Sequence, residues 1–122
     1  ATFLERHPAV RVVNYPGLES HRGHARARAW FAGAGGLLSF ELHGGVSAAE
    51  RLFARLTLPV NAPSLGGPET LITRPVMTSH RNVPVLQRQA LGITDALVRM
   101  SIGIEATEDL IDDLDRSLGQ VH

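Results

Sequence analysis

The chain has 122 residues, a formal net charge of zero and 43% apolar residues. That balance describes one globular domain and argues against a basic nucleic-acid surface, a polybasic lipid-binding stretch or a bilayer-spanning segment. It contains no cysteine, and all 12 basic residues are arginine, so disulfides, thiolate chemistry and a lysine Schiff base are excluded within these residues.

Residues 1–7, ATFLERH, have the pattern of the closing turns of a helix, and the sequence reads as a piece of a longer protein. VRVVNY at 10–15 is strand-like, and Pro16 and Gly17 turn the chain. Residues 21–31 are expected to form a helix with Ser20 near its N-cap, broken by Gly33, Gly35 and Gly36. GLLSFEL at 36–42 alternates as a strand, with Leu38, Phe40 and Leu42 opposite Leu37, Ser39 and Glu41. Residues 47–56 open with the capping box Ser47/Glu50 and continue with an apolar stripe of Ala49, Leu52, Phe53 and Leu56. Residues 56–67 run extended and then turn, and TLITRP forms a short strand ending at Pro75. A helix is expected over 83–92, with Pro84 in its first turn and Gly92 at its C-cap.

LVRMSIGIE at 97–105 reads as a strand whose Val98, Met100, Ile102 and Ile104 face a core. Leu97, Arg99, Ser101 and Gly103 then face the other way. The final helix spans 106–119, capped by Thr107, with Glu108 and Asp109 at the positive end of its dipole. Leu110, Ile111, Leu114 and Leu118 form its buried stripe, Asp112 and Asp113 face water, and Gly119 ends it. Strands of alternating polarity interleaved with helices predict an α+β domain: a small, mostly antiparallel sheet with helices packed on one face. One domain, 1–122, is expected.

Two readings of Arg99 compete. A strand arginine on the non-core face is commonly solvated or salt-bridged. A guanidinium there can also grip a planar anion in bidentate fashion. The histidines are weak metal candidates, because His21 and His24 lack a carboxylate or third histidine at fixed spacing, while His43 and His80 sit at a strand end and in a loop. SLGG at 64–67 is a Gly-rich turn able to offer backbone N–H groups to an anion, but it has neither P-loop nor Rossmann spacing. No metal site, cofactor-binding residue or catalytic residue is assigned.

Several stretches together resemble one family. NYPGLESHRGH (14–24), GGLLSFEL (35–42), PSLGGPETLITRP (63–75) and GITDALVRMSIGIEATEDLIDDL (92–114) are similar, in order and spacing, to the C-terminal region of the Cys/Met metabolism pyridoxal-phosphate enzymes. These trans-sulfuration enzymes include cystathionine γ-synthase, cystathionine γ-lyase and methionine γ-lyase.

The resemblance implies the C-terminal domain of a fold-type I enzyme that catalyses β- or γ-elimination or replacement on a sulfur amino acid. It implies that pyridoxal phosphate is held by a larger N-terminal domain absent from these residues, so that this chain alone is inactive and binds no cofactor. It also implies a homotetramer with an amino-acid substrate; a cytoplasmic location is expected, and the composition argues for neither a nucleic-acid nor a membrane partner. Arg99 stands where the family binds the substrate α-carboxylate, and Ser64 stands beside it. The cystathionine enzymes carry a glutamate just before that serine, to meet the distal ammonium of cystathionine; here the residue is Pro63, which has no charge or donor. Thr78 and Ser79 fall in the loop expected to line the substrate path. The alternative is a free-standing α+β amino-acid-binding regulatory module, with Arg99 facing a closed pocket. A structural interaction domain would instead leave Arg99 in a surface salt bridge.

Overall fold

A computed structural model describes residues 1–119. In chain order the elements are α1 (Thr2–Arg6), β1 (Val10–Asn14), α2 (His24–Trp30), β2 (Leu37–Leu42) and α3 (Gly45–Arg55). Then come β3 (Val60–Asn61), β4 (Leu71–Thr73), a 3-10 turn (Pro75–Met77), α4 (Val85–Ala90), β5 (Val98–Ser101) and α5 (Thr107–Leu118). The expected domain reaches residue 122, and its last three residues, with His122, lie outside the described ones.

The five strands form one sheet in the order β1-β2-β5-β4-β3. Only β3 and β4 run parallel; the other pairings are antiparallel. Period-two alternation gives the sheet two unlike faces. On one, Leu38, Phe40, Leu42, Ile72, Val98 and Met100 pack against Leu4 of α1, Ala48, Ala49 and Leu52 of α3, and Leu110, Leu114 and Leu118 of α5. The expected α+β architecture is therefore present. Helices α2 and α4 take no part in this layer: α2 has no buried residue, and the one buried residue of α4 is Arg88. No described helix is long and apolar enough to cross a membrane.

Several local expectations are corrected. Ser20 does not cap α2, which starts at His24; its hydroxyl bonds the Glu5 carboxylate instead. The Ser47/Glu50 box does not form, because the helix starts two residues earlier at Gly45, whose φ of 63° is open to glycine. Ser47 instead accepts a bond from Arg51, and Glu50 pairs with Arg74 at 3.3 Å. Thr107 is the first helical residue of α5, with Ala106 in the cap position and no side-chain cap bond.

Asp113 is not solvated. It is 4% exposed and accepts bonds from the backbone N–H of Thr57 (3.0 Å) and Leu58 (2.9 Å) and from the Thr57 hydroxyl (2.8 Å). Arg116 also bonds it. Asp112 is exposed.

The strand expected over 97–105 ends at Ser101. A Cβ at Gly103 would lie 2.3 Å from the Pro68 carbonyl oxygen, so the chain there is pressed against the 66–70 loop instead of continuing the ladder. Ile104 donates its N–H to that carbonyl at 2.9 Å, and its side chain, expected in the core, is 85% exposed. The Glu105 carboxylate accepts both the N–H and the hydroxyl of Thr70 at 2.7 Å. The Thr70 backbone N–H is the main reason its carboxyl is held below the ordinary glutamate value.

Candidate functional site

The second face of the sheet mixes polar with apolar side chains: Ser39, Arg99, Ser101 and Thr73 share it with Leu37, Leu71 and Leu97. Register brings Asn14 of β1 opposite Ser39 of β2, Ser39 opposite Arg99 of β5, and Arg99 opposite Thr73 of β4. One row of hydrogen-bonding side chains thus crosses four strands. Asn14 Nδ2 donates to Ser39 Oγ at 3.1 Å.

Two residues of β5 hold the 63–66 loop against this face. Arg99 Nη2 donates to the carbonyl oxygens of Pro63 (2.7 Å) and Ser64 (3.1 Å). Ser101, two residues on and so on the same face, accepts the Gly66 N–H at 2.8 Å. Gly66 reaches that bond with a φ of 78°, a conformation glycine adopts without strain. The SLGG turn therefore spends one of its backbone donors internally.

The other wall is the segment from Arg74 to Leu97. Arg74 Nε and Nη2 donate to the Asp95 carbonyl at 3.2 and 2.8 Å. Arg88 pairs with the Asp95 carboxylate at 2.8 Å, and the Thr94 hydroxyl donates to buried Glu41 at 2.6 Å. Glu41 also pairs with Arg11. These bonds pin a loop-rich segment that has little apolar burial of its own.

Between the walls lies a cavity of about 320 Å³, lined by Arg99, His80, Asn14, Ser39, Leu97 and Ile93 among others, and no acidic residue lines it. Arg99 is half-buried. Four other arginines, Arg11, Arg74, Arg88 and Arg116, have carboxylate partners; among the described residues Arg99 has none. Its Nε is buried without a hydrogen-bond partner. Leaving a buried charged donor unsatisfied costs several kcal/mol, of the order of 1–3 or more, so such groups normally have a partner. With Arg99 in its wall and no acidic residue in its lining, the cavity is suited to an anion.

The other expected residues are placed as follows. Ser64 and Pro63 are exposed at the rim, joined to Arg99 through their carbonyls. Thr78 turns its hydroxyl to Thr73 at 2.9 Å and is half-buried. Ser79 is exposed, with its hydroxyl 2.8 Å from Nδ1 of His80. His80, read as an ordinary loop histidine, is in the cavity wall with Arg99. No periodicity marks a loop residue, so its position had no signal in the sequence. Ser39 did have one, the alternation of β2. His21 and His24 make local bonds, to the Gly23 N–H and the Pro16 carbonyl. No group of three metal-ligating side chains occurs among the described residues.

Fold and cavity define an α+β domain with a helical core on one side of its sheet and an arginine-lined, acid-free cavity on the other. The family model for Cys/Met metabolism PLP-dependent enzymes matches residues 1–119, and the chain belongs to that family. It is 44% identical to cystathionine gamma-lyase from Sus scrofa over 122 residues, all of this chain and 30% of that protein. It is 44% identical over 119 residues to L-methionine gamma-lyase from Fusobacterium nucleatum subsp. polymorphum, covering 98% of this chain and 30% of that protein. Cystathionine gamma synthase from Xanthomonas oryzae pv. oryzae, solved in complex with cystathionine, superposes with a TM-score of 0.96 at 42% identity, over 99% of this chain and 31% of that one. The chain spans about 30% of the length of the curated relatives it matches.

Pyridoxal phosphate, the cofactor of the family, is anchored by an imine to a lysine amine. None of the 122 residues is a lysine. These residues therefore do not fit as the cofactor's anchor.

Proposed function

We propose that this chain is the substrate-carboxylate domain, residues 1–122, of a pyridoxal-phosphate-dependent enzyme that performs β- or γ-elimination or replacement on a sulfur amino acid. Arg99 grips the α-carboxylate, and Ser64 lies beside it. The remainder of the intact polypeptide holds the cofactor and the lysine, and the intact enzyme is a cytoplasmic homotetramer. This chain by itself is inactive.

The observation that carries the reading is the state of Arg99. Nη2 is tethered to the rim, Nε is buried and unpaired, and no carboxylate of the described residues reaches it. A guanidinium anchored in this way is oriented before the ligand arrives, which reduces the entropy lost on binding. Its uncommitted N–H groups meet the carboxylate, and that charged contact fixes where the amino acid lies. Positioning of this kind is where the chain contributes to rate.

Pro63 bears on the choice of substrate. A proline offers no side-chain charge or donor to a distal ammonium, which favours substrates with short apolar thioether or ester side chains over cystathionine. Thr78 and Ser79 belong to the loop assigned to the substrate path; Thr78 is half-buried and Ser79 exposed.

The test is Arg99→Lys in the full-length enzyme. A point charge replaces the fork, and kcat/KM should fall by about 1.5–3 kcal/mol, or roughly 10- to 150-fold, with unchanged cofactor content. An unchanged kcat/KM across a panel of thioether and homoserine-ester substrates would refute the assignment.

A further inference from the structure

Arg99 is not the sole hydrogen-bonding group in its cavity, and the others differ in how far they are already committed. Asn14 Nδ2 gives one of its two N–H groups to Ser39 Oγ. The Thr73 hydroxyl is spent on Thr78. Arg99 itself gives Nη2 to two loop carbonyls. A carboxylate has two oxygens and about four lone-pair sites, more than the free edge of one guanidinium fills. His80 lines the same cavity.

His80 is held once at its backbone and once at its ring. Its backbone N–H donates to the Pro75 carbonyl at 2.8 Å, closing the turn that follows β4. Its Nδ1 lies 2.8 Å from the Ser79 hydroxyl. When that hydroxyl donates to Nδ1, the ring proton resides on Nε2, which is then the ring's donor. The loop beneath is held by the Thr73–Thr78 bond and by Arg74 on the Asp95 carbonyl, so the ring sits on a preorganised support.

We propose that His80 is a second donor to the ligand carboxylate gripped by Arg99, with Ser79 as the positioning residue that selects its tautomer. The proposal rests on the reading of Arg99 given above and extends it to a two-armed carboxylate site, one arm from β5 and one from the loop after β4. Ser79 acts through His80, which accounts for a serine that is exposed yet directed at a ring nitrogen.

Calorimetry on the full-length, cofactor-loaded enzyme separates the two ideas, with glycine and glycinamide as probes that differ at the carboxyl group. His80→Ala should weaken glycine by about tenfold or more, the worth of one hydrogen bond to a charged group, and glycinamide, whose amide oxygen is a neutral acceptor, by only about two- to threefold. His80→Gln, which restores an N–H donor, should recover most of the glycine affinity. Ser79→Ala should weaken glycine by a smaller factor, and Ser79→Thr should restore it. Glycine binding unchanged in His80→Ala, with Arg99→Lys still weakened, overturns the role of His80 and leaves that of Arg99 standing. Equal losses for both probes in His80→Ala indicate a structural role and overturn the proposal as well. If wild-type enzyme fails to bind glycine, or Arg99→Lys binds it normally, the reading of Arg99 itself is wrong.

Discussion

Asp113→Asn is the substitution whose consequence is most fully determined by the structure. The carboxylate lies under the chain between α3 and β3, where it receives the backbone N–H of Thr57 and of Leu58 and the Thr57 hydroxyl. Hydrogen bonds to a charged group contribute about 1.5–3 kcal/mol each, and a buried donor left without an acceptor costs about 1–3 kcal/mol. Asparagine keeps the shape and one oxygen but loses the charge and turns an NH2 toward at least one donor. The expected destabilisation is about 2–4 kcal/mol.

Hydrogen exchange on the full-length protein reads this locally: exchange of the Thr57 and Leu58 amides should accelerate by at least roughly 30-fold, since every 1.4 kcal/mol is about tenfold. Burial pushes the Asp113 carboxyl up, but Leu58, Thr57 and Arg116 together outweigh it, so its folded pKa lies below the ordinary 3.8. A depressed folded value means the unfolded chain binds the proton more readily. The stabilisation is therefore complete above the unfolded value and is lost as pH falls through the lower folded one. The gap between wild type and variant should be flat above about pH 5 and close only in stronger acid. Exchange accelerated less than about threefold, or a gap that widens on acidification, would refute the account.

Gly103→Ala should lower the unfolding temperature and loosen the 66–70 loop, because its Cβ would meet the Pro68 carbonyl at 2.3 Å; a shift of less than a degree would contradict that contact. Ser101→Ala removes the acceptor of the Gly66 N–H and should raise KM more than it lowers kcat, by a few-fold, with a matching rise in proteolysis at the 63–68 loop. Steady-state kinetics on Pro63→Glu should show kcat/KM for L-cystathionine rising against that for L-methionine by about tenfold or more, the worth of a charged pair with a distal ammonium. An unchanged ratio would remove Pro63 from the specificity argument.

The sheet-and-helix framework was legible in the order of the amino acids, because it follows from periodicity. Leu38, Phe40, Leu42, Val98 and Met100 recur at period two and all lie in the core, and Leu110, Leu114 and Leu118 recur at helical spacing and cover it. The same alternation put Arg99 on the opposite face. Helix entries were less legible: Ser20, Ser47 and Thr107 are all good caps in isolation, yet none caps its helix. Capping residues report a local preference, and Gly45 and the bonds of Ser20 and Ser47 to Glu5 and Arg51 override it here.

The neighbours of Arg99, Asp113 and His80 are set by long-range folding alone. Asp113 meets Thr57 across 56 residues, and Arg99 meets Pro63 across 36; no local pattern encodes a partner at such a distance. His80 enters the cavity because β4 and the turn at Pro75 carry its loop there. Periodicity is a property of neighbours along the chain, whereas a site is made by residues that share a space without sharing a repeat.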